Sequence, residues 1–119
     1  MQLIIANKRY SSWSMRPWVV LKHFGIAFEE CNVWLAQPDS REQILRYSPT
    51  GKVPCLIDNG ITVWDSLAIC EYLAESYPHL PLWPMSREAR AHARSVCAEM
   101  HSGFTALRTH MWMNVGVHW

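Results

Sequence analysis

No two cysteines in this chain stand two residues apart, and the histidines show no HExxH or related ligand spacing. Cys31, Cys55, Cys70 and Cys97 are scattered singly. A zinc site or a dithiol redox motif needs close pairs, so neither is indicated and no metal is expected. No apolar stretch is long enough to cross a membrane, and the apolar run in the opening MQLIIANKRY is too short for a signal peptide. The chain is therefore expected in the cytoplasm. Charge of either sign is scarce: 18% of residues are charged and the net charge is +1. There is no basic stripe for nucleic acid and no acidic tail, so neither nucleic acid nor membrane is an expected partner. Internal repeats and low-complexity segments are absent too.

Half of the 119 residues are hydrophobic, which suits a folded chain with one core. The isolated cysteines read as small apolar core residues. His92 follows Glu88 by four residues, a pairing common on solvated helix faces. QLIIA, residues 2 to 6, reads as a short buried strand. A helix is expected from about Met15 to Phe24, with Ser12 or Ser14 as cap, Pro17 in the first turn and Gly25 past the end. Residues 26 to 34 read as a second strand, and Pro38-Asp39-Ser40 opens a short helix to about Tyr47. Two apolar runs around Asp58-Asn59-Gly60 form a hairpin, because Asn-Gly tolerates positive φ at both positions. Asp65 then caps a helix from Ser66 to about Tyr77, closed by Pro78.

The order is β-α-β-α-β-β-α, with a parallel first unit and an antiparallel hairpin. The thioredoxin-like fold has this arrangement. SYPHLPLWPMS, with Pro78, Pro81 and Pro84, is a stiff linker. The expected division is residues 1 to 78, a linker over 79 to 86, and a helical part over 87 to 119. Ser86 caps a longer helix whose apolar residues, Ala93, Val96, Cys97, Met100, Phe104, Leu107 and Met111, form one stripe. One helix cannot bury that stripe. The expectation is a truncated or altered helical part, or a partner that covers it, with Trp112 and Trp119 otherwise exposed.

Three places carry candidate chemistry. Pro54 follows Val53 at the mouth of a strand, where proline removes a ladder donor. A trans proline would blunt a sheet edge. A cis proline would leave the Val53 N–H and C=O to pair with an extended peptide. Asp65-Ser66 opens a helix, whose free N–H groups suit a carboxylate, and Asp65 suits an ammonium group. Together they fit the α-amino-acid end of a ligand, although the same dipeptide serves as a plain N-cap. Ser11, Ser12 and Ser14 cluster where strand meets helix. Their hydroxyls suit anion stabilisation as well as turn chemistry, and no His-Asp pair is evident to make one a nucleophile.

With these residues in view, SPTGKVPCLIDNGITVWDSLAICEYLAESYP resembles the second half of the glutathione-binding domain of cytosolic glutathione transferases. YSSWSMRPWVVLK resembles their serine-type active-site segment, particularly the SSCS-like motif of the zeta class, with Trp13 in place of the cysteine. The resemblance covers about residues 1 to 80, and residues 86 to 111 look like the first helix of that family's helical domain. It implies glutathione as co-substrate, a cis Pro54, and Val53 pairing with the cysteinyl part. Asp65 and Ser66 would hold the γ-glutamyl end, and Lys52 would reach the glycyl carboxylate. Ser11 or Ser12 would donate to sulfur and favour thiolate, the reactive form. Tyr10 is a further hydroxyl and Arg16 a further positive charge nearby.

The implied activity is glutathione conjugation to a small electrophile, in a homodimer when full length. The alternatives are a non-catalytic interaction module and a zeta-type isomerase, the latter touched by the Trp13 departure. Thiol-disulfide exchange is disfavoured by serine at the position of a reactive cysteine.

Overall fold

A computed structural model describes residues 1–116, so Trp119 lies outside the described residues. Four strands, β1 (Gln2–Ile5), β2 (Glu29–Asn32), β3 (Cys55–Asp58) and β4 (Ile61–Trp64), form one sheet in the order β2-β1-β3-β4. β1 and β2 are parallel, while β1–β3 and β3–β4 are antiparallel. The helices are α1 (Ser12–His23), α2 (Ser40–Leu45), α3 (Ser66–Ser76), α4 (Arg87–Ser102) and α5 (Thr105–His110). The order through α3 is the β-α-β-α-β-β-α of a thioredoxin-like fold, and helices follow it.

Successive strand residues point to opposite faces, which is why β1 builds two cores. Leu3 and Ile5 pack with Leu21 of α1, Ile69 and Leu73 of α3, and Leu56. Ile4 turns the other way, onto Val33, Ile44 and Cys55. Helices α1 and α3 thus cover one face and α2 the other. The hairpin turns on Asn59 at φ 48° and Gly60 at φ 80°, the positive values that Asn-Gly accommodates.

Several boundaries differ from expectation. α1 starts at Ser12 because Ser11 is its N-cap, accepting a bond from the Ser14 N–H. Pro17 therefore sits in the second turn, and the Trp13 carbonyl lacks the N–H four residues on. β2 is shorter than residues 26 to 34, since only Glu29–Asn32 pair with β1. Cys97 is exposed rather than a core residue, whereas Cys55 is fully buried. The long helix after Ser86 breaks: Gly103 caps α4 and Phe104 takes φ 60°, so α5 sets off in a new direction. A Cβ on Gly103 would come within 2.9 Å of the Glu99 carbonyl oxygen, which reserves the bend for glycine. The apolar stripe is consequently split, and Val96, Met100, Phe104, Leu107 and Met111 remain exposed.

Candidate functional site

A cavity of about 630 Å³ opens beside the ends of β3 and β4. Lys52, Val53 and Pro54 line one side, and Asp65 and Ser66 the other. Trp13, Thr50, Trp64 and His101 complete it. The five residues expected to bind a ligand are therefore neighbours in space, although eleven positions or more separate the two groups along the chain.

The Val53–Pro54 bond is cis. β3 begins at Cys55, so Val53 lies outside the ladder. Among the described residues, neither its N–H nor its C=O is engaged by a backbone or side-chain partner. A donor and an acceptor are left side by side at the cavity wall, the pattern that an extended peptide can complete.

Opposite them, the first turn of α3 has N–H groups without intrahelical partners. Asp65 satisfies two: its Oδ1 accepts from Leu67 N at 2.9 Å and from Ala68 N at 3.2 Å. Asp65 does this at φ 79° and ψ 129°, a region that glycine tolerates and other residues rarely occupy. Its Oδ2 faces His101, whose Nε2 donates to it at 2.9 Å. Ser66 is buried, and its Oγ lies 3.4 Å from His101 Nδ1.

His101 comes from the last turn of α4 and is not among the residues the sequence singles out. A signal existed: Ala93, Cys97 and His101 step by fours along one face of α4. Trp13 also matters. Its ring meets that of His101 edge-on at 5.2 Å. The guanidinium groups of Arg16 and Arg108 lie 4.2 Å and 4.5 Å from its centroid, within cation–π range. Burial and the nearby Arg108 charge lower the Arg16 pKa from its ordinary value. Arg108 also donates to the carbonyls of Met100 and His101, which ties α5 to the end of α4.

The candidate serines lie apart from this cavity. Ser11 Oγ donates to Ser14 Oγ at 2.8 Å while accepting from the Ser14 N–H at 3.3 Å. Ser14 Oγ in turn accepts from Ala6 N at 3.1 Å. Ser11 and Ser14 line a separate pocket of about 200 Å³ with Ala6, Met15 and Trp18. The Ser12 hydroxyl has no side-chain hydrogen bond among the described residues. Ser12 immediately precedes Trp13, which does line the larger cavity. Tyr10 instead packs on Trp112, with ring centroids 5.9 Å apart.

Cys55 is fully buried in the sheet core, while Cys97 is exposed. Cys70 lies in an apolar cavity of about 620 Å³ between α1, α3 and α4, and burial pushes its pKa up to about 11. A neutral, desolvated thiol is a poor nucleophile. Among the described residues no cluster of His, Cys, Asp and Glu could hold a metal ion. No described helix is long and apolar enough to cross a membrane.

Residues 10–76 match the family model described as "Glutathione S-transferase, N-terminal domain". A curated protein of Caenorhabditis elegans, "Probable maleylacetoacetate isomerase", is 34% identical over 96 residues, covering 81% of this chain and 44% of that protein. Among solved structures, a glutathione transferase homolog from Burkholderia GL BGR1, with bound glutathione, is 35% identical with a TM-score of 0.74. The match covers 91% of this chain and 59% of that one. The holo structure of a bacterial zeta-class maleyl pyruvate isomerase gives a TM-score of 0.78 at 25% identity, over 92% of this chain and 51% of that one. The chain thus spans about half the length of these relatives. With the family model covering more than half of its residues, on a sheet of matching topology, the chain belongs to the glutathione S-transferase family.

Proposed function

We propose that this chain binds glutathione in the cavity between Val53 and Asp65-Ser66 and serves glutathione transfer to a small electrophile. The observation that carries this is the free N–H and C=O of Val53 facing a capped helix N-terminus across one cavity. In this reading the cysteinyl main chain pairs with Val53. The γ-glutamyl ammonium goes to Asp65, its carboxylate to Ser66 and the α3 N-terminus, and the glycyl carboxylate to Lys52. Glutathione bound in the Burkholderia homolog supports it.

The thiol is held as thiolate by a hydroxyl of the Ser11-Ser12 pair. Ser11 keeps its capping role through an oxygen lone pair, so its hydrogen can turn from Ser14 to sulfur without loss of the cap. Ser12 has its hydrogen free. Thiolate is the species that attacks the electrophile.

Residues 1 to 78 form the glutathione-binding domain in this account, residues 79 to 86 the linker, and the helices from Arg87 onward the start of a helical domain. A cytoplasmic location and a homodimer of the full-length protein belong to the same reading. Isomerisation is a second reading, favoured by the names of two relatives, with Trp13 at the third position of the zeta-type motif as a departure. A third, a non-catalytic interaction module, is favoured by the exposed Val96, Met100, Phe104 and Leu107.

Retention on immobilised glutathione, eluted by free glutathione, is the expected result. A folded chain that passes straight through would count against the reading. Mass spectrometry of products separates transfer, which leaves a conjugate, from isomerisation, which leaves glutathione unchanged.

A further inference from the structure

His101 reaches from α4 to the site with both ring nitrogens: Nε2 toward Asp65 Oδ2 and Nδ1 toward Ser66 Oγ. A carboxylate only accepts, so Nε2 carries a hydrogen. In a neutral imidazole Nδ1 is then the bare acceptor, and Ser66 must donate to it. Ser66 is buried and its hydroxyl has one hydrogen, with no other side-chain partner among the described residues. That hydrogen is directed at the ring rather than into the cavity. In the imidazolium both nitrogens donate. Nδ1–H then points at Ser66 Oγ, and the serine hydrogen is released toward the cavity.

We infer that His101 is a positioning residue that sets the polarity of Ser66, and that the α-carboxylate of a γ-glutamyl ligand binds together with one proton. The inference rests on the glutathione reading above. One proton passes from solvent to His101 Nδ1, the Ser66 hydrogen rotates onto the arriving carboxylate, and no other bond changes. The edge contact with Trp13 and the bond to Asp65 hold the ring plane while this happens.

Charged groups of both signs surround the ring. Asp65, at the head of α3, favours the imidazolium. Arg16 of α1, Arg108 of α5 and Lys52 of the loop before β3 oppose it. Cys70 and Cys97 face the adjoining apolar cavity, and Cys70 stays neutral there. The ligand brings a carboxylate to Ser66 and an ammonium to Asp65, whose charges act on the ring in opposite senses, so the link between binding and protonation is carried by the reversal of the Ser66 hydroxyl.

The test is calorimetry of S-methylglutathione binding near pH 7, in two buffers of different ionisation enthalpy. This probe has no thiol, so thiol ionisation adds no protons to the count. The expected result is net uptake of up to about one proton, with affinity falling as pH rises by at most about tenfold per unit. In His101→Gln, which cannot titrate, both the uptake and the pH dependence are lost. Binding with no uptake, with release, or with uptake that persists in H101Q overturns the inference and leaves the glutathione reading standing. The wild-type measurement decides the matter alone if H101Q does not fold. A folded wild type that binds neither glutathione nor S-methylglutathione removes the reading and the inference together.

Discussion

Asp65 carries three separable loads, and replacing it by Asn, Ala and Gly tells them apart. Its Oδ1 caps two N–H groups of α3, and losing an N-cap costs about 1 kcal/mol. Its Oδ2 pairs with His101, but the Asp65 side chain is 45% exposed, so that pair contributes about 0–1 kcal/mol. Its backbone sits at φ 79°, which costs a non-glycine residue on the order of 1–3 kcal/mol. Asp65→Ala loses the cap and keeps the backbone cost, so it is less stable than wild type by about 1–2 kcal/mol. Asp65→Gly loses the same cap but relieves the backbone, part of which glycine returns as chain entropy. It is therefore more stable than the alanine variant by about 1 kcal/mol. Asp65→Asn keeps the cap and stays near wild type. The charge is gone in all three, and a hydrogen bond to a charged group is worth about 1.5–3 kcal/mol, so glutathione binds about tenfold or more weakly to each. Urea denaturation gives the stabilities and calorimetry the affinities. An alanine variant as stable as the glycine one would refute the backbone argument. Wild-type affinity in the asparagine variant would refute the ammonium role.

The two serines separate by stability. Ser11→Ala removes the α1 cap and costs about 1 kcal/mol, whereas Ser12→Ala costs little. Whichever donates to sulfur also raises the thiol pKa of bound glutathione, read from thiolate absorbance; an unchanged titration in both variants would end the serine role. Cys70 gives a pH signature. Its thiol pKa is raised in the fold to about 11 from an ordinary value near 9, so the folded state holds the proton longer than the unfolded chain. Its contribution to stability is complete below about pH 9 and declines as pH climbs toward 11. Cys70→Ala should flatten that alkaline decline in denaturation curves; an identical decline would place its cause elsewhere. Exposed Cys97 should alkylate well before Cys70 at neutral pH, as peptide mapping would show.

What the sequence made legible was local. The Asn59-Gly60 turn, the Asp65 cap and the strand-mouth Pro54 each follow from one or two residues with narrow backbone preferences. QLIIA was legible as a short buried strand, and the fold shows why it is apolar without alternation: Leu3 and Ile5 enter one core and Ile4 the other. The bend at Gly103 was not legible from periodicity, because steps of three and four continue from Met100 to Phe104 and Leu107 across it. The glycine itself was the available sign. His101 was harder to see: steps of four put it on one helix face with Ala93 and Cys97, but its meeting with Asp65 across 36 positions comes from α4 packing on α3, which that step does not encode. That Ser11 caps α1, where Ser12 or Ser14 was expected, turns on a network of Ser11, Ser14 and Ala6 that only the fold assembles.

The most direct test lies in the main chain of Val53. Amide hydrogen exchange at this N–H, followed by NMR without and with saturating glutathione, reads whether the ligand completes it. Fast exchange is expected in the free protein and marked slowing on binding, beside slowing in the first turn of α3. Exchange at Val53 that stays fast while glutathione is demonstrably bound would contradict it.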